Sequence, residues 1–408
     1  MRDLELYQYL LGLKEPWKVG RVALDVGGKR VDLWVEHPEG VRWSCPECTR
    51  ELGLYDHAEE RVWRHLDSCQ FRTYVHGRIP RVSCPEHGVL QVRVPWAEPG
   101  SRFTVLLERL AIEVLGECGV TGATRILGLS WDEAWHVMER AVARGQMRKG
   151  RRGIRWIGVD EKAIAKGHKY LTLVCDLEEG IVEYLGEDRK QESLEAYYRG
   201  LSAEQRAGIE AVAMDMWEPY ELATRAWVPG AEEKIVWDRF HLMRHMGEAV
   251  DTVRKQEQRE LSAQGDETLK GSKYLWLYSS ENLPEVRREE FAALQRLNLK
   301  VGRAWAIKES LRKLWECVSS SSARAFWKRW HFWATHSRLK PIQEVAALIK
   351  RRLANLLTYF QHRITNAVSE GLNSKIQTIK NKAFGFRNPD HFKIAIFFHC
   401  GGLDLYPC

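Results

Sequence analysis

Two residue patterns in this 408-residue chain are suited to chemistry. The first is a pair of knuckles, Cys45-Pro-Glu-Cys48 and Cys84-Pro-Glu-His87. Two residues between ligands bring both side chains to one face of a metal, and a proline after the first cysteine favours the tight turn. Together Cys45, Cys48, Cys84 and His87 would make a tetrahedral zinc site. Its role would be structural, because four protein ligands leave no position open for a substrate. Cys69 lies between the knuckles as a possible substitute ligand, and unrelated buried thiols are the bland alternative. The second pattern is ITNAVSEGLNSKIQTIK, residues 364–380. On a helix Asn366, Glu370, Asn373 and Gln377 share a face, while Val368, Leu372, Ile376 and Ile379 line the side expected to be buried. A carboxylate among carboxamides is either a solvated surface or part of a site completed from elsewhere. Asp160, in WIGVDEKAI, and Asp215, ending EAVAMD, supply what is missing if their strands are neighbours. A strand alternates faces, so only one of Asp160 and Glu161 can join a given site. Three clustered carboxylates repel one another and require divalent cations; hard oxygen ligands select magnesium or manganese. A pair of such ions can polarise a phosphodiester and stabilise its leaving oxygen.

These residues need elements to hold them. VALDV and VDLWVEH, separated by GGKR, read as a β-hairpin leading into the first knuckle, and FRTYVHGRIPRVSCPEHG reads as further strand up to the second. VPWAEPGSRF has the proline and glycine content of a linker. Residues 104–145 turn helical, with Ser130 as N-cap and Glu133 completing a capping box. Helix, short helix, helix is the outline of a helix-turn-helix, an outline that any small helical bundle shares. MRKGRRGIR follows, whose Arg148, Lys149, Arg151 and Arg152 read as a phosphate-contacting strap or as a solvated linker. From residue 154 come three strands in a meander, a helix, a strand, a helix and a strand, and then residues 240–362 with almost no β-type alternation. That order is the order of a ribonuclease H-like α/β core. The expected division is a β-hairpin and zinc-ribbon domain over 1–95 and a helix-turn-helix over 100–147. A first part of the core covers 148–240, an all-helical insertion 241–360, and the final part with Glu370 covers 361–408.

Bulk properties agree with such a chain. Hydrophobic residues make up 44% and charged residues 29%, and the net charge is +7. A basic balance suits a polyanionic partner without proving one. No apolar run approaches the roughly 18–20 residues of a membrane span. The N-terminus lacks the charge pattern and cleavage site of a signal peptide, which implies a cytoplasmic address. Five of the nine cysteines are scattered without motif spacing and read as reduced thiols. The 17 tryptophans read mainly as core and helix-packing residues.

Several separate blocks resemble one family. GVDEKAIAKGHKYLTLVCDL, AMDMWEPY, VWDRFH, ITNAVSEGLNSKIQTIKNKAFGFRN and the closing GGL are similar to transposases of a bacterial insertion-sequence group, the ISL3 type. CPEC, WRHLD, CPEHG and VPWAEP resemble the same group's zinc-binding amino-terminal region. The resemblance implies a DDE transposase with Asp160, Asp215 and Glu370 as the acidic triad on catalytic Mg2+ (or Mn2+), beside a structural Zn2+. Asp238 and His241 match a D-x-x-H element in a supporting role, with Asn366 and Asn373 beside Glu370. Lys375, Lys380, Lys382 and Arg387 are spaced to line a DNA backbone near the metals. The implied partners are double-stranded DNA, as terminal inverted repeats and target, and a second copy of the chain when synapsed. The implied setting is the bacterial nucleoid. Two other readings use the same parts: a non-catalytic DNA-binding regulator, and a nuclease that cuts without joining.

Overall fold

The computed structural model describes residues 3–150, 152–165 and 169–408, and the chain divides into two compact units. The first comprises Met1–Gly150 and Asn381–Cys408, the second Arg151–Lys380.

The first unit opens with α1 (Asp3–Leu10) and the hairpin β1 (Lys18–Asp25) and β2 (Arg30–Glu36), paired antiparallel. A small hairpin, β3 (Trp43–Ser44) and β4 (Glu51–Leu52), carries the first knuckle. β5 (Asp56–Arg64), β6 (Arg72–Cys84) and β7 (Gly88–Gln91) complete a sheet of order β1-β2-β6-β5, with β7 on the end of β6. Alternating residues of β2 and β6 (Val31, Leu33, Val35; Val75) face the interior, as period-two burial requires. Trp17, Trp63 and Trp96 meet there edge to face, Trp17 to Trp96 at 4.9 Å and Trp63 to Trp96 at 5.5 Å. The stretch read as a linker is therefore not loose. Trp96, Ala97, Ser101 and Phe103 are buried because its aromatic residues anchor the sheet and the helices after it.

Those helices are α2 (Val105–Glu117), α3 (Val120–Leu127) and α4 (Trp131–Arg148). Thr104 caps α2, and Gly128 ends α3 in the left-handed region at φ 64°, which suits glycine because it has no Cβ to clash. The Ser130 capping box forms: the Glu133 amide donates to Ser130 Oγ at 3.2 Å and the Ser130 amide donates to Glu133 at 2.8 Å. Inside, the buried Glu108 carboxylate accepts from Arg140 and Arg144, and Arg144 also reaches Glu98. A buried charge needs this degree of pairing.

In the second unit β8 (Trp156–Ala165), β9 (Lys169–Asp176) and β10 (Ile181–Glu187) form an antiparallel meander. After α5 (Gln191–Arg199) and α6 (Ala203–Gly208), β11 (Ala211–Met214) joins β8 in parallel. After α7 (Glu218–Trp227) and α8 (Ala231–Lys234), β12 (Ile235–Trp237) joins β11, also in parallel. The sheet order is β10-β9-β8-β11-β12. Then come helices only: α9 (Arg239–Ser262), α10 (Lys273–Leu277), α11 (Arg288–Arg296), α12 (Lys300–Arg312), α13 (Ser320–Thr335), α14 (Lys340–Arg351), α15 (Leu353–Leu357), α16 (Tyr359–His362) and α17 (Ala367–Lys382). One apolar core runs from the sheet residues Ile157 and Val212 into this helical region through Met246, Trp276, Ile307 and Trp327. The last helix, α18 (Pro389–Cys400), belongs to the first unit, where Phe398 enters the core of α2–α4.

Candidate active site and zinc centre

Cys45, Cys48, Cys84 and His87 converge in the first unit, with all four ligand atoms within 4.8 Å of one another. Cys48 and Cys84 sulfurs are 3.7 Å apart, Cys45 Sγ is 3.9 Å from His87 Nδ1, and Cys84 Sγ is 3.4 Å from the same nitrogen. Ligands about 2.0–2.3 Å from a tetrahedral zinc stand at such separations from one another. Both knuckles sit on hairpins: the first is closed by β3 and β4, the second by the turn from β6 into β7, where Gly88 takes φ 71°. Cys69 is exposed and is not in the cluster.

The acidic site is built within the second unit where β11 and β12 end beside the middle of β8. Val159 pairs with Met214, and Met214 pairs with Trp237. The next residue in each case is an aspartate, Asp160 within β8 and Asp215 and Asp238 just past the ends of β11 and β12, so the three stand side by side at one level of the sheet. Carboxyl ends of parallel strands are where open α/β sheets hold ligands. Asp160 is only 7% exposed, and burial pushes its pKa up to about 6. Glu161 points to the other face, where Arg189 lies 3.4 Å away. Asp238 is committed locally: it caps α9 and accepts from His241 Nδ1 at 2.7 Å. Burial disfavours a charged His241 ring. The Asp238 hydrogen bond and the charges of Asp215, Asp238 and Asp160 outweigh that and hold its pKa above the usual histidine value. Arg244, one turn further along α9, comes within 3.9 Å of Asp215.

Glu370 enters on α17. Burial and the Asp238 charge raise its pKa, while the His241 charge opposes them. Asp238 belongs to the aspartate row and His241 is hydrogen-bonded to it, so Glu370 lies near that row. Asn373, one turn later, donates to Asp160 Oδ2 at 2.6 Å, and Lys162 Nζ donates to the Asn373 carbonyl at 3.0 Å. The buried stripe of the helix differs from the one periodicity suggested. Ser369, Leu372 and Ile376 are buried, with Asn366 just before the helix, whereas Val368 and Ile379 are half-exposed. The cause is Gly158, on β8 two residues before Asp160. A Cβ there would meet Asn366 Oδ1 at 2.8 Å and would clash with Ser369 Oγ. Glycine on the strand and small polar residues on the helix let the backbones approach. An isolated glycine in a strand pattern is the sequence signal for such a close contact.

Divalent cations fit this donor set. A largely buried carboxylate with a raised pKa is an anion short of positive charge. The side-chain atoms of Asn366, Ser369 Oγ and Asn373 Oδ1 are buried there without a hydrogen-bond partner. The oxygens of Asp160, Asp215 and Glu370 are not gathered within 4.8 Å as the zinc ligands are.

The basic residues behave unevenly. Arg148 is held by Asp404 at 3.0 Å and by the Tyr406 carbonyl at 2.6 Å. Arg152 pairs with Asp176 and Glu179, and Lys149 is half-buried. Arg151 lies outside the described residues. Lys380 donates to the Ala163 carbonyl at 3.2 Å on the strand of Asp160, while Lys375, Lys382 and Arg387 are exposed.

Residues 157–396 match the family model of an ISL3 transposase domain. Residues 42–87 match the zinc finger of transposases IS204/IS1001/IS1096/IS1165, and residues 92–142 match the helix-turn-helix domain of transposase family ISL3. A transposase for insertion sequence element IS1557 from Mycobacterium tuberculosis is 27% identical over 418 aligned residues, covering 95% of this chain and 94% of the relative. A transposase for IS1001 from Bordetella parapertussis is 27% identical, covering 90% and 91%.

Proposed function

The chain belongs to the ISL3 transposase family, and from that membership we propose that Asp160, Asp215 and Glu370 form its acidic triad, on a ribonuclease H-like core. The observation that carries this is the in-register row of aspartates across β8, β11 and β12, with a glutamate helix tied to it through Asn373 and Asp160. The three carboxylates would hold two magnesium ions, which would supply polarisation of the scissile phosphodiester and activation of water or a 3′-hydroxyl. Asn373 holds Asp160 from α17. Asp238 orients His241 and holds its proton at Nδ1, and the resulting positive charge offsets part of the repulsion between the acids. Arg244 and Lys375 meet phosphate oxygens beside the reacting group. The sheet order and the passage from meander to parallel strands support the ribonuclease H-like assignment.

Recognition of terminal inverted repeats falls to the zinc ribbon and the helix-turn-helix, and synapsis of two ends calls for two copies of the chain. No helix among the described residues is long and apolar enough to cross a membrane, in keeping with an enzyme that works on the chromosome. Asp215→Asn tests the reading. The variant should bind repeat DNA as the parent does, while cleavage and strand joining of labelled ends fall below detection. Full activity in that variant would remove Asp215 from the mechanism. Intact binding with no magnesium-dependent chemistry in the parent itself would favour the regulator reading.

A further inference from the structure

Positive charge is concentrated in the last third of the chain. Between Glu316 and Asp390 stand thirteen lysines and arginines against two acids, Glu344 and Glu370. That excess is larger than the +7 of the whole chain, so the remainder is net acidic. Some of these cations are engaged. Arg352 faces Glu221, and Arg363 donates to the Val318 carbonyl at 2.7 Å.

On α13 they are not. Its inner stripe, Ala323, Trp327, Trp330 and Ala334, is buried, and Trp330 Nε1 donates to the Ile307 carbonyl at 2.9 Å. The outer side carries Arg324, Lys328 and Phe332 at four-residue spacing, with Arg329 and Trp333 beside them. Among the described residues none of these three cations has an ion-pair partner, and no acid lies between Glu316 and Glu344. Phe332 is 64% exposed and Trp333 43%. A solvated helix ordinarily mixes both signs of charge. One sign of charge together with exposed aromatic rings is a different surface.

We propose that this outer face of α13 binds the backbone of duplex DNA flanking the reacting phosphate, an inference that rests on the transposase-site reading above. Arg324, Lys328 and Arg329 take phosphates, and Phe332 and Trp333 lie against the sugars between them. The N-terminal end of α13 meets Arg363, four residues ahead of α17, and Arg239, the residue after Asp238, stacks 5.1 Å over the neighbouring Trp315 ring. From there α13 runs 16 residues, roughly 24 Å. A DNA strand covers that length in about seven nucleotides.

The test compares the full-length protein with a triple variant, Arg324→Gln, Lys328→Gln and Arg329→Gln, and with Trp333→Ala. The probe is a 40-base-pair duplex titrated between 50 and 200 mM salt. Losing three phosphate contacts should make the slope of log affinity against log salt shallower by about 2–3. Trp333→Ala should weaken binding about fivefold with the slope unchanged. Changing both arginines to lysine should keep the parent slope. Zinc content and far-UV dichroism check that the variants fold. A parental slope in the triple variant overturns the inference. So does a loss confined to phosphatidylglycerol vesicles, which would assign the face to anionic membranes. If the parent itself binds the duplex without salt dependence, the transposase-site reading fails, and this inference fails with it.

Discussion

At the scale of single residues, two histidines show how surroundings set a charge. His241 sits among aspartates and is pushed toward the charged form. His65 sits at the end of a strand, with Nδ1 2.9 Å from Thr104 Oγ1, the hydroxyl that caps α2. Burial, helped by the nearby Arg64 charge, pushes its pKa down to about 4. The unfolded ring titrates near 6.5, so above that pH both states are neutral and the shift has no effect on stability. Below it the unfolded chain takes up a proton that the fold refuses, and stability falls as pH drops from 6.5 to about 4. The full effect is on the order of 3 kcal/mol. Chemical denaturation of the intact chain at stepped pH should show this loss, and His65→Asn should flatten the profile across that window. An unchanged profile would mean that His65 is protonated in the fold.

At the scale of elements, the zinc cluster and the acidic site differ in kind. The zinc cluster is preformed by two hairpins, and its ligands follow each other closely in sequence within each knuckle. Structural zinc supplies folding energy to small β units that bury little apolar surface. Cys84→Ser, or chelation, should therefore release zinc and make residues 42–91 sensitive to protease, and the α2–α4 helices should keep their protection. Resistance of that segment after zinc loss would show that its tryptophan core suffices. The acidic site depends instead on three strands in register and on one helix seated by Gly158. A helix-period reading of residues 364–380 put Val368 and Ile379 inside, whereas the contact with β8 selects Ser369 and Asn366. Periodicity finds a buried face only where the partner surface is apolar; here it is a strand backbone.

At the scale of the molecule, the chain leaves its first unit at residue 150 and returns to it after residue 380. Its last segment completes the hydrophobic core of the helix-turn-helix. Phe398 is buried there, Arg144 donates to the Leu405 carbonyl, and Leu403 covers Gly145. A Cβ at Gly145 would stand 2.6 Å from Leu403 Cβ and 3.2 Å from the Asp404 carbonyl. Gly145→Ala should displace this tail and lower the stability of the first unit by about 1–3 kcal/mol, read as a fall in the denaturant midpoint. It should also weaken DNA binding more than it weakens zinc retention. An unaltered midpoint would mean the tail is dispensable to that unit. The same return route accounts for residues 381–408, which the sequence grouped with Glu370 by proximity along the chain.

Ligand type and spacing by themselves determined the zinc knuckles. Alternation and capping residues determined the meander, the helix-turn-helix helices and the Ser130 cap, because these depend on contacts among near neighbours in sequence. The acid trio could be nominated from strand ends and family blocks. Only tertiary structure brought Asp238 into the same row as Asp160 and Asp215 with His241 bonded to it, joined α17 to Asp160 through Asn373, and folded the tail back into the first unit. Those contacts join residues more than a hundred positions apart, or rest on strand register and backbone approach, and no local pattern encodes either.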